Sequence, residues 1–167
     1  MKPPLFSGNT DDYQTPPNAI IPLLPYIPHG SVIWECACGK GNLVREFERR
    51  GFQCIGSDAL TNQYFQWWEP EKYDVIVTNP PFSHKTEFLQ RAYELGKPFA
   101  FLLPLTTFES KDRQELFKRF GVEVIFFDKR INFEKKDGGG AGSWFATAWF
   151  TYNFNIGKSI TFNEFID

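Results

Sequence analysis

Cysteine, histidine and methionine are scarce in this chain: three, two and one in 167 residues. Three thiols, two of them in Cys36-Ala37-Cys38, are too few and too closely spaced for an ordinary disulfide framework, and no second Cys/His pair completes a zinc site. Reduced, structural thiols and no metal are expected. No apolar run approaches the roughly 20 residues that span a bilayer, and Met1-Lys2-Pro3-Pro4 does not begin a signal peptide, so a cytoplasmic protein is expected. Surplus charge is missing too. A net charge of −2 gives no broad basic field for a polyanion, and phosphate contacts must come from local clusters. Lys129, Arg130, Lys135 and Lys136 form one, in a loop. Lys111, Arg113, Lys118 and Arg119 form another, on a helix whose far face is apolar, where a plain solvated surface is the simpler reading.

What the chain does have is apolar and aromatic substance: 42% apolar residues, 18% aromatic and 19 Phe. That suffices for one domain, residues 1–167, with a single substantial core. Residues 1–12 are polar, Pro-rich and aperiodic, and read as a loose arm. No repeat, low-complexity tract or separate second domain interrupts the rest.

The most informative stretch is Tyr73-Asp74-Val75-Ile76-Val77-Thr78-Asn79-Pro80-Pro81-Phe82. Val75 to Val77 read as a buried strand. Pro80 and Pro81 cannot continue a central strand, since each lacks a backbone donor. An amide, a rigid turn and an aromatic ring are thus presented together at the carboxyl end of a strand, where open α/β sheets bind ligands.

Upstream, Asp12-Tyr13-Gln14-Thr15-Pro16-Pro17 precedes Ile20, Ile21, Leu23 and Leu24 at helical spacing, with Thr15 a candidate cap and proline welcome in a first turn. Ser31 to Glu35 is a strand, Cys36 to Gly41 a tight turn, and Asn42 to Arg50 a helix that Gly51 can end. The strand Gln53 to Ser57 then stops at Asp58. Strand, glycine turn, helix, strand, acid is the first half of a dinucleotide-type βαβ unit, in which the acid binds ribose hydroxyls. Only Gly39 and Gly41 stand in the turn, so it is neither G-x-G-x-x-G nor a P-loop. Glu35 just before it would repel a pyrophosphate but suits a cationic or hydroxyl-bearing ligand. That favours S-adenosylmethionine over NAD.

Tyr64, Phe65, Trp67 and Trp68 fill a loop or short helix over 59–72, by default as core. A helix is expected near 85–95 from Phe88, Leu89, Ala92 and Leu95, and a doubly covered strand over Phe99 to Leu103. Thr106-Thr107-Phe108-Glu109 fits a capping box opening a helix through Leu116, Phe117 and Phe120. Strands follow over Val122 to Phe127 and Trp144 to Tyr152, with a mobile loop at Asp137 to Gly142 between them. The expected fold is α/β: a Rossmann-like three-layer sandwich with a mostly parallel sheet and an antiparallel C-terminal strand.

Trp34-Glu35-Cys36-Ala37-Cys38-Gly39-Lys40-Gly41, Gly56-Ser57-Asp58 and Asn79-Pro80-Pro81-Phe82 together resemble the amino-group DNA methyltransferases, most closely the small phage-type N6-adenine enzymes. The likeness covers roughly residues 12–152 and implies the S-adenosylmethionine-dependent methyltransferase fold. It implies that Tyr13, Thr15 and Pro16 line the methionine end of the cofactor, that Glu35, Ala37, Gly39 and Gly41 shape its centre, and that Asp58, with Ala59 beside it, holds the ribose. Asn79, Pro80, Pro81 and Phe82 would be catalytic, Asn79 also facing the cofactor. DNA, duplex with a flipped adenine or single-stranded, would be the partner, touched by Lys129, Arg130, Lys135 and Lys136. Asn62-Gln63-Tyr64-Phe65 stands where such enzymes often carry an acid before an aromatic, so an amide replaces the acid. The same tetrapeptide type serves enzymes acting on RNA adenines or protein glutamines, and a non-catalytic cofactor-binding subunit is the reading from another class. Without a separate target-recognition domain, short recognition or a homodimer is expected. His84, close by, reads as a surface residue.

Overall fold

Val75, Ile76 and Val77 are all buried, because the strand they form lies inside a sheet covered on both faces. The computed structural model describes residues 13–135 and 145–166. The expected arm, Lys136, the loop Asp137 to Gly142 and Trp144 lie outside the described residues. In chain order the strands are β1 (Tyr13–Gln14), β2 (Val32–Glu35), β3 (Gln53–Gly56), β4 (Val75–Thr78), β5 (Phe99–Pro104), β6 (Glu123–Phe127), β7 (Glu134–Lys135), β8 (Thr147–Tyr152) and β9 (Ile160–Asn163). The α-helices are α1 (Asn42–Arg49), α2 (Lys85–Leu95) and α3 (Lys111–Phe120).

Seven strands form one sheet in the order β3-β2-β4-β5-β8-β6-β9. β8 runs antiparallel to β5 and β6, and every other pairing is parallel. The expected mostly parallel sheet with an antiparallel C-terminal strand is therefore present. Successive side chains alternate faces. Val75 and Val77 join Ile33, Leu102 and Trp149 in one core with Ile20, Leu23 and Phe47. Ile76 joins Trp34, Phe101 and Phe150 in the other, with Phe88 and Leu89 of α2. Each fully buried side chain of this size contributes about 1.5–3 kcal/mol. The two deepest tryptophans keep their indole donors satisfied, Trp34 on Ser57 Oγ and Trp149 on the Ala19 carbonyl, both at 2.8 Å.

Several local expectations change. The segment after Thr15 is a 3-10 helix, Pro17–Tyr26, because Pro22 and Pro25 interrupt any longer-range ladder. Thr15 does not cap it: Pro16 occupies the cap position and no side-chain cap bond is made. The capping box at Thr106 to Glu109 does not open α3 either. Leu105–Phe108 is a short 3-10 turn and Ser110 precedes α3. Arg113, assigned above to plain solvated surface, is half-buried and holds that turn. Its Nε donates to the Thr107 carbonyl at 2.6 Å and one terminal nitrogen to Thr86 Oγ1 at 2.9 Å. Lys111, Lys118 and Arg119 are exposed as expected. Two elements were not anticipated: the antiparallel β1–β7 pair, which sets Tyr13 against Lys135, and the edge strand β9.

Candidate active site

β2 has β3 on one side and β4 on the other, so the chain changes direction across the sheet here, and a crevice opens beyond the carboxyl ends of β2 and β4. Glu35 ends β2, Asn79 follows β4, and the glycine turn arches over both. Together with Gln14, Thr15, Ala37, Cys38, Gly39, Asn42 and Leu43 they line a shallow, open cleft.

Glu35 is only 2% exposed. Its carboxyl accepts the Thr78 hydroxyl and, at 3.1 Å, the Ala37 N–H, tying the ends of β2 and β4 together. Burial is the main influence and pushes its pKa up to about 8; the Thr78 and Ala37 bonds oppose the rise and the Asp58 charge adds to it. At neutral pH the carboxyl is largely protonated. Burial pushes the thiols of Cys36, Cys38 and Cys54 up as well, so none is an activated nucleophile.

Asp58, just after β3, ties the end of that strand to the glycine turn. One carboxylate oxygen accepts the Gly39 N–H and the other the Leu60 N–H, both at 2.9 Å, and it caps the 3-10 turn Ala59–Thr61. Each oxygen keeps a further lone pair for a ligand hydroxyl. Gly39 is required for two reasons. Its φ is +49°, and a Cβ there would lie 3.2 Å from Gln14 Nε2. Gln14 is brought to the turn by the β1–β7 pair, and its Oε1 accepts the Lys40 N–H at 3.4 Å.

Of the expected cofactor residues, Thr15, Glu35, Ala37, Gly39 and Asn79 line one cleft, and Asp58 reaches it through Gly39. Gly41, with φ +81°, is the cap of α1 beside the cleft, and Ala59 lies in the 3-10 turn after Asp58; neither lines it. Pro16 is half-buried at the start of the first 3-10 helix, and the Tyr13 backbone pairs with Lys135. Gln14, Cys38, Asn42 and Leu43 are lining residues that the sequence reading missed. Gln14 sat inside a motif already singled out; the others follow from the turn doubling back on α1.

Asn79 is half-buried with its Oδ1 shielded from solvent, and Pro80 behind it is buried. Pro81 opens a 3-10 turn, Phe82–His84. The Phe82 ring meets Phe145 edge-on at 5.3 Å and Phe133 at 6.5 Å. His84, expected at the surface, is half-buried. Lys129 and Arg130 are exposed after β6 and are not among the residues lining the cleft; the Lys129 ammonium sits 5.5 Å from the Phe165 ring. Phe65 and Trp68 pack on Trp34, whereas Trp67 is largely exposed against Tyr64 at 4.6 Å. Asn62, in the place of the missing acid, takes φ +60° at the end of the 3-10 turn. Among the described residues no three His, Cys, Asp or Glu side chains could hold a metal, and no helix is long and apolar enough to cross a membrane.

No family model and no curated protein matches the chain. Solved structures do match, at low identity. The modification subunit of a proposed type I restriction enzyme from Vibrio vulnificus is 14% identical with TM-score 0.53, over 94% of this chain and 46% of that one. A proposed RNA methyltransferase from Pyrococcus horikoshii is 15% identical with TM-score 0.52, over 85% of each chain. A dimethyladenosine transferase from Plasmodium falciparum is 11% identical with TM-score 0.50, over 83% of this chain and 62% of that one. The chain thus spans about half of the Vibrio protein and under two thirds of the Plasmodium one. At this identity the likeness defines the fold: a Rossmann-like methyltransferase fold.

Proposed function

We propose that the chain is an S-adenosylmethionine-dependent methyltransferase acting on the N6 amine of adenine in DNA. The observation that carries the reading is the position of Asn79 and Pro80 at the end of β4, with Asn79 lining the same cleft as Glu35 and Gly39. The cleft suits that cofactor by its donor set. A bare glycine turn allows close approach, Asp58 has lone pairs for ribose hydroxyls, and the buried Glu35 carboxyl lies under the turn, where the arrival of a cationic centre would favour its ionised form. A resident S-adenosylmethionine would supply an electrophilic methyl on a sulfonium.

The residues of the chain do the rest by position. An exocyclic amine is a poor nucleophile, since its lone pair is delocalised into the ring. The Asn79 side-chain oxygen and the Pro80 carbonyl can accept its two hydrogens and draw the nitrogen toward tetrahedral geometry. Proline fixes that carbonyl in a rigid turn. Phe82, three residues beyond Asn79 and packed edge-on against Phe133 and Phe145, would offer its ring to an extruded base. No step needs an activated nucleophile; the acceleration comes from orientation and electrostatics. A base inside a duplex cannot reach this pocket, so it must be flipped out or single-stranded.

The direct test is methyl transfer from labelled cofactor to duplex DNA, single-stranded DNA and RNA, with product nucleosides identified by mass. N6-methyladenine in DNA is the expected product. Label in RNA alone would move the substrate to RNA, which the net charge of −2 leaves open. No transfer to either, with cofactor bound, would point to a protein glutamine or to a non-catalytic subunit.

A further inference from the structure

We propose that two copies of this chain pair edge to edge through β9, antiparallel, with Lys158 of each copy facing Glu164 of the other. Among the described residues β9 is an outer strand of the sheet, paired with β6. Its polar backbone groups divide cleanly. The Ser159 carbonyl accepts the Val124 N–H at 2.8 Å and the Asn163 carbonyl the Asp128 N–H at 3.0 Å. Backbone alternation therefore turns the N–H and C=O groups of Ile160, Phe162 and Glu164 outward.

The side chains on this edge are not those of a protected one. Natural sheet edges are usually blunted by lysine, proline or a bulge within the strand, and Ile160–Asn163 has none of these. Ile160 is 53% exposed and Phe162 79%. Both stand on the α2/α3 face of the sheet, as their register partners Val124 and Phe126 do. The Phe162 ring touches only the margin of that core, 5.7 Å from Phe126.

Charge selects the occupant and the register. Lys158 and Glu164 are both exposed and flank the strand with opposite signs. In an antiparallel pair of identical strands, outward-facing residues meet outward-facing residues. Setting Ile160 against Ile160 would bring Lys158 onto Phe162, and setting Phe162 against Phe162 would bring Glu164 onto Ile160. Setting Ile160 against Phe162 matches apolar with apolar, brings Lys158 onto Glu164 twice, and places the two Thr161 residues on the two-fold axis. A contact of this kind is isologous and closes at two copies.

The interface is small, below about 1,200 Å² in total, which corresponds to a reversible dimer with a dissociation constant on the order of 10 µM. Sedimentation velocity across a concentration series spanning about 1 to 100 µM should move the protein from monomer to dimer. Lys158→Glu and Glu164→Lys should each weaken the dimer about tenfold or more at low salt, since like charges then oppose one another twice. The double reversal K158E/E164K should restore it. Thr161→Cys should crosslink two copies under mild oxidation, because that pair faces itself across the axis with Cα atoms about 4.5 Å apart. Circular dichroism verifies the fold of each variant. A wild-type chain that stays monomeric throughout would overturn the proposal. So would a dimer indifferent to both single reversals, or a double reversal no tighter than the singles.

Discussion

Replacing Asp58 with alanine removes a carboxylate that has two duties, and the two can be measured apart. Its structural duty is to accept the Gly39 and Leu60 N–H groups at 2.9 Å and to cap the turn after it. Both bonds are solvent-exposed, so water replaces much of what is lost. A lost cap of this kind costs about 1 kcal/mol, and the second bond adds less than that again. For a chain of 167 residues, a loss of about 1–2 kcal/mol lowers the melting temperature by roughly 3–6 °C. Its proposed ligand duty is larger. Two charge-assisted bonds to ribose hydroxyls, at about 1.5 kcal/mol each, amount to about 3 kcal/mol, or roughly a hundredfold in affinity. Titration calorimetry with S-adenosylhomocysteine reads the second quantity and a thermal melt the first. Asp58→Asn, which keeps one acceptor oxygen, should fall between. A folded Asp58→Ala protein that binds the nucleoside as tightly as wild type would refute the ribose assignment, whatever its melting temperature.

Asn79→Ala should keep cofactor affinity within about twofold and lower turnover at least a hundredfold; a fully active variant in the labelled-methyl assay would sink the amine-orienting role. Glu35, raised to about 8 by burial from an ordinary 4.5, binds its proton more tightly folded than unfolded. Its contribution to stability is fully present below about 4.5 and is lost as pH rises toward about 8. Chemical denaturation at pH 6 and pH 8 should show this decline, and Glu35→Gln should flatten it. Glu46 has the opposite sign. Bonding chiefly to Arg49, and also to Arg50, lowers its pKa from 4.5 to about 2. That stability is present above about 4.5 and lost as pH falls toward about 2. Glu46→Gln should lose stability at pH 6 and match wild type at pH 2; an equal deficit at both would contradict the assignment.

Much of the sheet was legible because its strands are written in long apolar runs. Phe99 to Leu103 could only be a strand covered on both faces, and the spacing from Phe88 to Leu95 could only be a helix. The site was legible where one residue marks the end of a strand: Glu35, Asp58 and Asn79 each stand at such a place. What escaped depends on contacts distant in sequence. β1 and β7 are two residues each and exist only as a pair. β9 offers four alternating residues, too few to separate from a loop. Arg113 looks like one more surface cation until the fold brings Thr86 and the Thr107 carbonyl to it. At Pro22 and Pro25 the helical spacing of the apolar residues was real, but the missing donors tightened the coil to 3-10.

The direction of β9 has a consequence for how a paired molecule would work. β9 runs parallel to β6, and so in the same sense as β2 and β4, whose carboxyl ends frame the cleft. A two-fold axis that sets one β9 against another reverses that sense in the second copy. The two clefts then open at opposite ends of a continuous fourteen-stranded sheet, twice the seven of one copy, rather than side by side. A short symmetric target could not occupy both at once. Its two halves would be modified in separate encounters, and half-modified product would be released and accumulate before the second event.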